Sequence, residues 1–128
     1  MLISTKPLAL YTFELCGRDA FREWIQTVQG TSAAKRIACR ISRVRKGIVG
    51  DVKSFRLKNK IENPVLLELR LNFHNGYRIY AARCEDGLVL LAGGSKHRQR
   101  EDVKQASRLC QAFASRQGDV KRFSLAEA

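Results

Sequence analysis

Residues 67 to 80 read LELRLNFHNGYRIY, and the fold turns on how this stretch doubles back. Leu67, Leu69, Leu71 and Phe73 alternate with Glu68, Arg70, Asn72 and His74, the period of a strand with one face in a core. Beyond the turn, Tyr77, Ile79 and Ala81 alternate with Arg78 and Tyr80. A two-residue Asn-Gly turn would pair Phe73 with Arg78 and put an arginine on the apolar face. A three-residue loop of His74, Asn75 and Gly76, with the glycine left-handed, pairs Phe73 with Tyr77, Leu71 with Ile79 and Leu69 with Ala81, and is the expected register. Arg70, Asn72, Arg78 and Tyr80 then share the opposite face.

Working outward, Ala9 to Leu15 alternates as a first strand. Phe21, Trp24, Ile25 and Val28 fall on one helical stripe that Asp19 can cap and Gly30 can close. Thr31 or Ser32 is placed to cap a second helix, with Ala34, Ile37, Ala38, Ile41 and Val44 inward and Gly47 at its end. The short connection predicts a helical hairpin lying on a sheet. Val52 to Leu57 is a further short strand, followed by a polar loop to Pro64. Leu88 to Ala92, after Asp86-Gly87 and before Gly93-Gly94, reads as a central strand buried on both sides. Val103, Ala106, Leu109, Cys110 and Phe113 stripe a last helix. The expected fold is α+β, in the order β-α-α-β-β-β-β-α, with a mostly antiparallel twisted sheet. It forms one domain over residues 1–128, with a core from about 9 to 116 and a loosely held tail from 117 to 128.

Twenty-four Lys and Arg against twelve Asp and Glu give a net charge of +12. Ten of these cations lie between Lys35 and Lys60, where Asp51 is the only acid. Such a run calls for a polyanion, nucleic acid or an acidic protein, to relieve its self-repulsion. Cys16, Cys39, Cys84 and Cys110 are too widely spaced for a zinc or redox motif, so no metal or cofactor is expected, and each reads as a small buried hydrophobe. No apolar run could span a bilayer. The N-terminal MLISTKPLALYTFEL lacks the pattern of a secretory signal, so a cytoplasmic location and no membrane partner are expected.

Arginines on a sheet face need an anion to satisfy them. Two readings compete for Arg70 and Arg78. In one, Glu68 simply pairs with Arg70 on the same strand face. In the other, the two guanidinium forks hold phosphate oxygens, Tyr80 stacks on a base or donates its hydroxyl, and Lys96, His97 and Arg98 close the end. Lys53, Arg56, Asn72, Arg98 and Arg100 are the expected additional RNA contacts.

Five segments, FREWIQTV (21 to 28), GDVKSF (50 to 55), LELRL (67 to 71), NGYRIYAA (75 to 82) and LVLLAGGSK (88 to 96), followed by a charged helix, resemble the RelE/ParE toxin superfamily of bacterial toxin–antitoxin modules. The resemblance covers residues 11 to 114 and is greatest to its phage-derived, HigB-like addiction module killer branch. It implies a RelE-like fold and a type II toxin, an mRNA interferase that cuts mRNA in the ribosomal A site beside rRNA. A cognate antitoxin, often a helix-turn-helix protein, silences such a toxin in a hetero-oligomer. The family's GYR arginine falls on Arg78, its strand arginine on Arg70 and its basic post-strand motif on Lys96, His97 and Arg98. The catalytic set this implies is Arg78, Arg70, Tyr80, Lys96 and His97. Val103 and Lys104 stand where relatives often carry a tyrosine, which leaves Tyr80 or His97 as the acid or base. ParE-type relatives instead inhibit DNA gyrase without cleaving anything, and a non-catalytic basic nucleic-acid-binding module is the third reading.

Overall fold

The computed structural model describes residues 7–48, 50–57, 64–72 and 76–124. The fold is α+β, with a mixed, mostly antiparallel seven-stranded sheet and three α-helices. In chain order the elements are β1 (Ala9–Leu15), β2 (Arg18–Asp19), α1 (Ala20–Val28), α2 (Ala34–Arg45), β3 (Val52–Arg56), β4 (Val65–Arg70), β5 (Arg78–Cys84), β6 (Gly87–Gly94), α3 (Gln99–Ala114) and β7 (Asp119–Arg122). A single 3-10 turn, Lys96–Arg98, precedes α3.

The strands run β2-β1-β6-β5-β4-β3, with β7 added against β1. Only β1 and β6 are parallel among the pairs described. β6 is central, as its unbroken apolar run requires: Leu88 and Leu90 face one core cluster, and Val89, Leu91 and Ala92 face another. An irregularity in the β5–β6 register between Tyr80 and Ala81 sets Leu91 and Ala92 both toward the second cluster.

The helical hairpin lies where the sequence expects it. Phe21, Ile25 and Val28 of α1 and Ile37, Ile41 and Val44 of α2 are buried on Leu67, Leu69, Ile79, Ala81, Leu88 and Leu90. Asp19 caps α1 by accepting from the Arg22 N–H at 2.9 Å. Neither Thr31 nor Ser32 occupies the cap position of α2. Its cap position is Ala33, and the Thr31 hydroxyl donates instead to the Val28 carbonyl at 2.5 Å, finishing α1. Gly93 lets the indole of Trp24 close on β6, since a Cβ there would lie 2.1 Å from the ring.

Three further expectations need correction. The β4–β5 register is shifted by two residues: Leu69 pairs with Ile79, Leu67 with Ala81 and Arg70 with Arg78, and the Leu71 N–H donates to the Tyr77 carbonyl. Phe73, His74 and Asn75 lie outside the described residues. The tail is partly docked. β7 pairs with β1, and Phe123 is buried edge-on against Phe21, with ring centroids 5.4 Å apart and the Arg22 guanidinium over its face. Among the cysteines Cys110 alone is buried, Cys84 is half-buried, and Cys16 and Cys39 are exposed.

Candidate functional site

The second sheet face is not open. Ala106, Cys110 and Ala112 of α3, with Val103, Leu109 and Phe113, pack on Phe13, Leu66, Tyr80, Ala82, Val89 and Leu91. These sheet residues form a second apolar surface that would cost about 25 cal/mol per Å² if left in water, so the last helix folds over it. Arg70 and Arg78 therefore sit at the rim of the α3-covered face, under the N-terminal turn of that helix.

Glu68 is at the centre. Along the sheet it has Lys53 opposite on β3 and Tyr80 opposite on β5. Two residues on, Arg70 stands opposite Arg78, which stands opposite Gly94. The Glu68 side chain is 0 % exposed, and Oε1 takes Arg70 Nε at 3.0 Å and faces Arg78 Nε at 3.9 Å. Gln99, the first residue of α3, donates Nε2 to Oε2 at 2.9 Å. The Glu68–Arg70 pairing raised by the sequence is thus observed, widened to both arginines and tied to the helix. Like charges facing each other across a ladder repel. A buried carboxylate between them offsets that.

The two arginines are placed differently. The Arg78 side chain is 9 % exposed and its Nη1 donates to the carbonyls of Gly76 at 2.9 Å and Tyr77 at 3.4 Å. The Arg70 side chain is 31 % exposed, with only its Nε bonded among the described residues. Its backbone carbonyl accepts from Arg40 Nη1, while Arg40 Nη2 donates to the Asp51 carbonyl at 2.8 Å, so α2 pins the strand end that carries Arg70.

Tyr80 is fully buried and its hydroxyl has no hydrogen-bond partner among the described residues. Burial first, and the negative charge of Glu68 second, push its phenol pKa well above the ordinary value. It therefore keeps its proton at neutral pH and cannot serve as a base there. The neighbouring Asp102 on α3 is also buried, with Oδ2 unpaired among the described residues and set against Gly94, where a Cβ would come within 1.9 Å of it. Burial raises its pKa, Glu101 adds to the rise and Arg98 opposes it.

Around this buried set lie exposed cations. Lys96, His97 and Arg98 occupy the 3-10 turn, and Arg100 follows on α3, all exposed. Lys96 reaches the same corner as Arg78, both packing around Gly76. Lys53 is exposed on the α3 side of β3, its ammonium 4.8 Å above the Phe55 ring. Arg56 does not join them: three residues along β3, about 10 Å away, it lies on the other sheet face. Asn72 is exposed, donates to Asp51 Oδ2 at 3.3 Å, and lines a groove on the hairpin side with Lys35, Arg36, Cys39, Arg40, Arg43 and Leu71. Gln99, Asp102 and Arg40 are additions to the sequence-derived set. Asp102 carries one legible signal, its helical spacing to the buried Ala106.

Arrayed in this way, the corner can hold an anion and stabilise developing negative charge. Its carboxylates are Glu68, held by Arg70 and Gln99, the buried Asp102 and the exposed Glu101; Tyr80 keeps its proton, and His97 is the one imidazole among the described residues. Across 92 residues the chain is 37% identical to an uncharacterized protein of Haemophilus influenzae, a match covering 71% of this chain and 86% of that one. No family model and no solved structure matches it.

Proposed function

We propose that this chain, which belongs to the same family as that Haemophilus influenzae protein, is the toxin of a type II toxin–antitoxin module and a ribosome-dependent mRNA endoribonuclease. The carrying observation is the cationic corner, where Arg70, Lys96, His97, Arg98, Arg100 and Lys53 lie around the buried Glu68 carboxylate on a chain of net charge +12. A helical hairpin on one sheet face and a terminal helix on the other are what a RelE-like topology would have.

In the reaction the ribose 2′-oxygen loses its proton and attacks the adjacent phosphorus. The bond to the 5′-oxygen breaks, and that oxygen leaves with a proton. A guanidinium suits the intermediate step, because its planar donors hold the phosphorane oxygens bidentately. It is a poor proton donor, and Tyr80 is sealed in. His97, exposed in the turn before α3, is the group we assign to protonate the leaving oxygen. Such a weak acid–base set depends on the ribosome to align the 2′-oxygen with the phosphorus. The cationic groove on α2 supplies a surface for rRNA phosphates. The module would act in the cytoplasm, and a helix-turn-helix antitoxin would neutralise it in a hetero-oligomer.

One observation favours the ParE-type alternative: Arg78 and Tyr80, two residues of the implied catalytic set, are buried. Expression without antitoxin, followed by pulse labelling, separates the readings. The nuclease stops amino-acid incorporation within minutes while DNA stays intact. Continued protein synthesis with accumulating gyrase-linked DNA breaks would transfer the protein to the inhibitor class.

A further inference from the structure

The structure assigns different work to the two arginines: Glu68 is a positioning residue that aims Arg70 at an RNA phosphate, while Arg78 straps the β4–β5 turn. This rests on the nuclease reading for its chemistry, though the anion contact itself does not. A guanidinium offers five N–H donors in one plane, one on Nε and two on each Nη. In Arg70 the Nε is held by Glu68 at 3.0 Å, neither Nη has a partner among the described residues, and the side chain is 31 % exposed. In Arg78 the Nη1 is already satisfied by two backbone carbonyls and the side chain is covered.

Glu68 can aim Arg70 because it cannot turn. Its second oxygen is fastened to Gln99 at 2.9 Å, which ties the carboxylate to the first turn of α3. Its backbone is fixed between β3 and β5. A guanidinium held on one edge by a fixed carboxylate loses little further entropy when it meets a phosphate on the other edge. The charges also fit. One Glu68 faces Arg70 and Arg78, with Lys53 across the ladder and Lys96 at the same corner, so the site is net cationic and an anion completes it. A phosphate can meet Arg70 from solvent. At Arg78 it would meet a side chain only 9 % exposed, with Nη1 already bonded to the turn carbonyls.

Nitrogen-15 NMR of the arginine side chains, titrated with a four-residue oligoribonucleotide, tests the assignment directly. Loss of one signal in R70K and of another in R78K identifies the two. The Arg70 Nε–H and Nη signals should shift saturably and the Arg78 signals should stay still. Glu68→Gln should weaken binding about tenfold, and Gln99→Leu, which frees one carboxylate oxygen, should weaken it less. Movement of Arg78 with a still Arg70 overturns the assignment, as does unchanged affinity in a folded Glu68→Gln protein. Single-turnover cleavage on programmed ribosomes is the second arm. Arg70→Ala should cut a hundredfold or more slower at saturation, and because it strips the buried Glu68 of its nearest cation its melting midpoint should fall as well, so the rate is taken per folded molecule well below that midpoint. Wild-type cleavage that survives Arg70→Ala unaltered also overturns it. A wild-type protein that cuts nothing bears on the nuclease reading alone, and the NMR titration still decides which arginine meets the anion.

Discussion

Arg78→Ala is expected to act on the fold first. The substitution removes a side chain that bonds the Gly76 and Tyr77 carbonyls and stands 3.9 Å from the fully buried Glu68 carboxylate. Deleting one partner of a buried ion pair typically costs about 3–5 kcal/mol, because the charge left behind stays desolvated. Here Arg70 and Gln99 still hold Glu68, and the Arg78 contact is long, so the charge contribution falls near half of that. Two carbonyls released to partial solvent add about 1 kcal/mol. The sum is ~3 kcal/mol, which for a domain of this size lowers the melting midpoint by roughly 10 °C. Thermal and urea unfolding of both proteins, with amide exchange at Leu71, whose N–H bonds the Tyr77 carbonyl, would report the loosened turn. Arg78→Lys should recover part of the loss. A melting midpoint within about 2 °C of wild type, with Leu71 exchange unchanged, would refute the strap and return Arg78 to the role of a free phosphate ligand.

Asp102→Asn should stabilise the protein at neutral pH. The folded state holds the Asp102 proton more tightly than the unfolded chain, so stability falls as pH rises from the ordinary carboxylate pKa through the raised one; urea midpoints should differ at pH 7 and converge near about pH 3.5, and equal midpoints at both would contradict the burial cause. Phe123→Ala should cost ~3 kcal/mol, measured by urea unfolding, because it empties the packing against Phe21; a loss under about 0.5 kcal/mol would mean the tail does not dock. Antitoxin association should slow steeply between low and high salt in stopped-flow mixing, since the cationic corner is what an acidic segment would approach; a salt-independent rate would place the antitoxin elsewhere.

Face parity was legible from the alternation of Leu67, Leu69 and Leu71, and the hairpin from the stripes through Phe21 and Ile37. The β4–β5 register was not. Shifting the pairing by two residues leaves each side chain on its face, so both registers bury the same leucines, and only the pairing itself brings Arg70 and Arg78 onto Glu68. The closed second face was half visible: Leu66 beside Leu67, and LVLLA at 88 to 92, are apolar on both sides, which an open face would not be. β7 escaped because Asp119–Arg122 is exposed throughout and polar but for Val120, its pairing carried by backbone groups, with Phe123 beyond it buried in the core. Glu68 read as an ordinary ion-pair partner, since nothing local marks a carboxylate whose second oxygen is held by Gln99 from a distant helix.

Incubation of the purified wild-type protein with ribosomes carrying a defined codon in the A site, followed by primer extension on the mRNA, decides whether the protein is a ribosome-dependent nuclease. A nuclease would leave a cut within the A-site codon with a 5′-hydroxyl fragment, seen only when ribosomes are present and lost when the antitoxin is added. Intact mRNA under the same conditions, from a protein that still arrests growth and traps gyrase on DNA, would contradict the nuclease reading.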